Sequence, residues 1–207
     1  MSFFEPPPPP PEPEQVAPPT PEWFEPPANV LPASFPLDLV LTRTTELALS
    51  VHAGRAHANG FDFTVTLNMR RPREGHADHP MMGWHAARHG GFDEKTIRFG
   101  ITFADGRKAT IFDQHLWWGE HEPPAPEIVL MQRGGGGGGA TWEFGFWARP
   151  LPPEGPIEFV VEWPSEGIAL TRTELDSVIV REAAARAITL WPEDPPGGAR
   201  VWTRRLA

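Results

Sequence analysis

Four of the eight histidines, His76, His79, His85 and His89, fall between Arg70 and Lys95, with Asp78 and Asp93 beside them. Imidazole and carboxylate are the ligands that a chain without cysteine can offer zinc, nickel or iron. If 84–89 is helical, His85 and His89 share a face, and His76 and His79 are near enough to reach the same ion. The spacing H-x2-H-x5-H-x3-H matches no zinc signature, and the four arginines of the same stretch repel a cation. A divalent-metal site, used for binding or for metal-dependent hydrolysis, is therefore the second reading of this segment. A polar insertion between strands is the first.

Other side chains offer binding rather than bond-making. The chain has nine tryptophans. Trp117, Trp118, Trp142 and Trp147 fall in or beside strand-like segments, where exposed indoles would form a face able to grip a peptide or a sugar ring. Buried, the same residues would simply be core. Trp23-Phe24 sits in a proline-rich segment and either docks on its own domain, favoured by tethering, or anchors on a partner. The run Gly134–Gly139 could form an anion nest, but it lacks the helix context of phosphate loops, so a flexible hairpin loop is expected. Of the five serines none lies in G-x-S-x-G, and tyrosine is absent, so no nucleophile motif exists. Glu120 and Glu122 beside His115 and His121 are scattered charges of the kind any acidic chain carries. Catalytic residues: none.

Composition sets where these residues can be held. Twelve of the 27 prolines lie in the first 27 positions, and the first 29 residues carry five Glu and no Lys or Arg. Such a segment cannot bury enough apolar surface to offset the entropy of ordering, so a disordered acidic tail is expected over 1–32, with Pro6–Pro11 as polyproline II. The remainder divides into a domain over 33–192, large enough for a core of its own, and a C-terminal extension over 193–207. A net charge of −9 with no basic surface argues against nucleic acid. No window approaches 18 apolar residues, which argues against a membrane span. Met1-Ser-Phe-Phe runs into Glu5 and the prolines, so no signal peptide is expected and the cytoplasm is. With no cysteine, disulfides and thiolate metal sites are excluded.

From Phe35 onward apolar residues recur with period two. Leu37/Leu39/Leu41, Leu47/Leu49/Val51, Phe61/Phe63/Val65/Leu67/Met69 and Ile97/Phe99/Ile101/Phe103 predict half-buried strands. A short one ends at Ile111-Phe112, and others cover 127–132, 141–147 and 157–163. Asn59-Gly60 and Asp105-Gly106 mark hairpin turns. The fold class is mainly β: an immunoglobulin-like antiparallel β-sandwich. One C-terminal helix is expected over about 173–190, opened by the capping-box pattern Thr171-Arg-Thr-Glu174 and stopped at Trp191-Pro192.

The stretch Phe146-Trp-Ala-Arg-Pro-Leu-Pro-Pro-Glu-Gly155, with Phe159-Val-Val-Glu-Trp-Pro164, Gly167-Ile168 and the preceding glycine run, resembles a family of uncharacterised proteins from GC-rich bacteria. The resemblance spans roughly 40–192. It implies domain limits and carries no activity, cofactor or catalytic residue. The residues themselves point to a non-enzymatic protein-interaction module or scaffold, with a protein partner or self-association and no cofactor.

Overall fold

A computed structural model of the chain describes residues 23–73, 80–88, 92–113 and 126–193. The described residues form a mainly β fold with two short helices. In chain order the elements are β1 (Val30–Leu31), β2 (Ala33–Arg43), β3 (Leu47–His57), β4 (Gly60–Met69), α1 (Pro80–Arg88), β5 (Arg98–Phe103), β6 (Lys108–Thr110) and β7 (Val129–Gly138). They continue with β8 (Thr141–Arg149), β9 (Pro156–Trp163), β10 (Ile168–Asp176), α2 (Val178–Ala184) and β11 (Ile188–Thr189). One sheet has the order β2-β3-β4-β8-β7 and a second the order β10-β9-β5-β6, while β1 and β11 pair as a separate ribbon. Every pairing is antiparallel.

Period-two alternation gives each large sheet one apolar face, and the two faces close on a single core. Phe61, Phe63, Val65, Phe144 and Phe146 come from one sheet, and Phe99, Ile101, Phe159 and Val161 from the other. Phe63 joins the layers. It stacks on Phe146 at 5.6 Å and meets Phe159 of the opposite sheet edge-on at 5.3 Å.

Helix α1 lies inside the histidine-bearing insertion, so a single C-terminal helix is corrected to two helices. α1 is held by what it buries. The indole of Trp84 stacks on Phe144, 4.0 Å between centroids and 5° from parallel, and its Nε1–H donates to Gln132 Oε1 at 3.0 Å. Gly83 lets the helix come this close, since a Cβ there would lie 2.2 Å from the Lys95 carbonyl oxygen. That same oxygen accepts the Trp163 indole N–H at 2.9 Å.

Three local expectations are corrected. The capping-box residues Thr171–Glu174 belong to β10, because Thr173 and Leu175 pair in register with Phe159 and Ile157. The helix is α2, and its start is marked by Asp176, whose Oδ1 accepts the Val178 N–H at 3.0 Å. Gly134–Gly138 is strand, not loop, paired residue for residue with Gly145–Thr141 of β8. The turn after it is Gly139-Ala140, with Gly139 at φ +60°. The β3–β4 hairpin turns at Ala58-Asn59, which leaves Gly60 as the first residue of β4.

Replacing Trp84 by Ala removes the stack, opens a cavity and leaves Gln132 Oε1 without its donor. The expected cost is about 3–5 kcal/mol of unfolding free energy, read from urea denaturation. A loss below about 1 kcal/mol would show that the core closes without the indole.

Candidate functional site at the docked aromatic arm

The outward face of the five-stranded sheet carries one row of residues across four strands. Register places Arg55 beside Asp62, Asp62 beside Trp147, and Trp147 beside Met131. Each end of the row is occupied differently.

At the β3 end the contacts are polar. The carboxylate of Asp62, a buried residue, accepts Arg55 Nε–H at 2.6 Å and lies 2.8 Å from His57 Nε2. His57 is buried and stands perpendicular to the Trp147 ring, 5.3 Å between centroids. A carboxylate–imidazole pair is half of an acid–base device. Among the described residues nothing hydrogen-bonds His57 Nδ1, so no nucleophile completes it there. What the pair does is fix the outer wall of the Trp147 pocket.

At the β7 end the contacts are apolar and come from the start of the described chain. Trp23, only 7% exposed, packs on Val129, Met131 and Trp147, with Phe24 half-buried alongside. The two arm rings meet edge-to-face at 5.9 Å. Trp147 Nε1–H donates to the Trp23 carbonyl oxygen at 3.2 Å, and Arg133 Nη2 donates to Glu25 Oε2 at 2.9 Å. Gly60 makes the pocket possible: a Cβ there would sit 2.5 Å from both Trp147 Cη2 and the Ala148 oxygen. Beyond Glu25 the arm turns into β1, where Val30 and Leu31 pair with Thr189 and Ile188, and Leu190 N–H donates to Asn29 O at 2.7 Å.

Of the residues singled out by sequence, Trp23, Phe24 and Trp147 thus converge on one contact. Trp147 is closed off by the chain's own arm and offers no exposed face. Trp142, at the tip of β8, is half-buried and packs on the main core. Trp117 and Trp118 lie outside the described residues, as do His76, His79 and His89. His85 is exposed on α1, and the described residues contain no group of three His, Cys, Asp or Glu able to hold a metal. Sequence reading passed over Val129 and Met131 and took Gly60 only as part of a hairpin turn. The signal for the first two was alternation, which puts them on the Trp147 face rather than the core face.

No family model, no curated protein and no solved structure matches the chain. No helix among the described residues is long and apolar enough to cross a membrane.

Trp23→Ala removes the arm's apolar anchor and is expected to cost about 1.5–3 kcal/mol, with faster amide exchange at Val129 and Met131. Glu25→Gln breaks only a partly exposed ion pair and should move stability by less than about 1 kcal/mol. Equal effects of the two variants on urea midpoint and exchange would contradict an apolar latch.

Proposed function

We propose that the chain is a non-enzymatic protein-interaction module, an immunoglobulin-like sandwich that anchors and presents an acidic, proline-rich arm. The single observation behind this reading is the seat of Trp23. Trp23, buried against Val129, Met131 and Trp147 and accepting the Trp147 indole N–H on its carbonyl oxygen, fixes the domain-proximal end of the proline-rich segment at a defined place. Residues 1–22 lie outside the described part, and their share in the proposal rests on composition: prolines flanked by Glu5, Glu12 and Glu14.

Strand order supports the immunoglobulin-like part. β3-β4-β8-β7 follows the A-B-E-D order of such sandwiches, and β10-β9-β5-β6 follows G-F-C plus one added strand, with β2 as an extra edge. The usual core pin differs. There is no cysteine pair and no tyrosine, and the buried Trp84 comes from a helix between the second and third of these strands. The resemblance to uncharacterised proteins of GC-rich bacteria adds nothing to the activity. A protein partner in a cytoplasmic setting fits the acidic, cysteine-free composition.

The test uses the full chain with Pro6–Pro11 replaced by Ser, measured beside the unmodified chain against a panel of proline-reading domains with aromatic-lined grooves. At least one domain should bind the unmodified chain and lose about tenfold or more, ~1.4 kcal/mol, with the serine variant. Equal binding to both chains, or none to either, would remove the arm as the interacting element.

A further inference from the structure

The outer face of the four-stranded sheet is not bare. It holds a groove of about 210 Å³ between Phe112 on one side and Val160 and Leu170 on the other. Gly100 lies in its floor, where a Cβ would approach the Ala109 oxygen to 2.7 Å, so no side chain fills the middle. Phe92 extends the Phe112 wall, its ring edge-on at 5.2 Å, and the Arg98 guanidinium stands 4.3 Å above the Phe92 ring. The turn carrying Phe92 is fixed by Asp93, whose carboxylate accepts Thr96 Oγ1–H at 2.8 Å and the Lys95 N–H at 2.9 Å. Those bonds hold its pKa below the usual carboxylate range. Phe92 is 66% exposed and Leu170 59%. With the apolar groove between them, these two side chains extend the apolar surface open on this face.

We propose that the occupant is the chain's own Pro6–Pro11 segment, docked from the same molecule; this rests on the reading of the arm as the interacting element. Three quantities support the match. A polyproline II run of six residues at ~3.1 Å each is ~19 Å long, against ~14 Å across four strands spaced ~4.8 Å apart. Proline offers no N–H donor, which suits a wall of Phe, Val and Leu, and rings and aliphatic edges are what such grooves grip. Charge also matches. Glu5, Glu12 and Glu14 flank the prolines, while Arg98, Lys108 and Arg172 stand at the groove. Arg98 and Arg172 pair with Glu162 and Glu158, and Lys108 has no ion pair among the described residues.

The arm reaches. Trp23 sits over β7, the edge strand next to β6 of the other sheet. Arg107, in the β5–β6 turn, donates to the Glu127 oxygen just before β7, so the two edges lie side by side. Twelve residue steps from Pro11 to Trp23 cover ~37 Å when extended, enough to round an edge between sheets ~10 Å apart. Tethering at this length gives an effective concentration on the order of millimolar, so a weak groove suffices. A partner that reads the prolines then competes with the groove, and its affinity falls by the fraction of arm undocked.

Because the chain has no cysteine, Ser2→Cys in the full chain takes a single nitroxide label. Expected is selective paramagnetic broadening of the Gly100, Lys108 and Leu170 amides. It should be unchanged on dilution, weaker in high salt, and lost in Leu170→Glu and in the milder Leu170→Ser. Broadening that vanishes on dilution would assign the groove to a second copy's arm and overturn docking within one molecule. Uniform broadening, or broadening indifferent to both Leu170 variants, would overturn the groove altogether. The same holds if the groove is covered by residues 114–125 and ignores the serine-substituted arm. If the groove fails while serine substitution still abolishes partner binding, the interaction reading stands alone. Groove docking with no proline-dependent partner gives the reverse.

Discussion

The stack of Trp84 on Phe144 settles how the two sheets can close at all. The outer half of β7 is glycine from 134 to 138, so along that stretch one edge of the five-stranded sheet puts no side chain into the space between the layers. Without a ring on it Phe144 would forfeit dispersion contacts, and Gln132 Oε1 would lack the donor it has, its Nε2 being held by the Gly134 oxygen. The Trp84 indole lies on Phe144 beside that stretch, parallel at 4.0 Å, and its single N–H donates to Gln132 Oε1. The insertion is thus not an appendage to a finished fold. Gly83, the Lys95 carbonyl and the Trp163 N–H all serve to bring one helix within reach of that gap.

β8 then shows how alternation serves two surfaces with one strand. Phe144 and Phe146 point into the core, while Trp147 points away from it and would leave a large ring in water. The chain covers this ring from both sides. Gly60 and the His57–Asp62–Arg55 set form its back, and Trp23 its lid. A polar network on the outside of a sheet is tolerable because each charge has a partner: Asp62 takes one donor on each oxygen, and neither has to be stripped of water alone. The latch is accordingly apolar burial with one directional bond, and the exposed Glu25–Arg133 pair adds orientation more than strength.

The strands were legible because their cause is local. Phe61, Phe63, Val65, Leu67 and Met69 can share one face only in an extended chain, and each is buried. The asymmetry of Trp147 against Phe144 and Phe146 was legible for the same reason. Failures occurred where a distant partner outweighed a local preference. Thr171–Glu174 reads as a helix start in isolation, but the backbone of β9 offers it a ladder. Six glycines read as loop because glycine weakens an isolated strand, yet β8 supplies hydrogen bonds that need no side chain. Trp84 gave no sign of its role, since the cavity it fills is made by residues some fifty positions later. The groove was not legible, since Val160 and Leu170 are single apolar residues on outward positions of β9 and β10 and only strand pairing brings them together.

The latch and the groove lie on opposite outer faces, and their separation bears on a third feature. Among the described residues β7 ends its sheet, with no side chain of its own along Gly134–Gly138, and at 134, 136 and 138 a Cβ would meet nothing within 4 Å. Sheet edges usually carry charges, prolines or bulges that prevent edge-to-edge pairing. β7 has one register shift, between Gln132 and Gly134, with the charged Arg133 at it, and only glycine from there to its end. On the proposed path the arm leaves Trp23 and crosses the β7–β6 border before it reaches Phe112 and Leu170. Proline cannot donate to a ladder, so a proline-rich strap crossing there shields the edge without extending the sheet. One segment would then answer three exposures: the Trp147 ring, the glycine edge and the Phe92–Leu170 groove. Releasing the arm to a partner would open the last two while the Trp23 contact still holds its base.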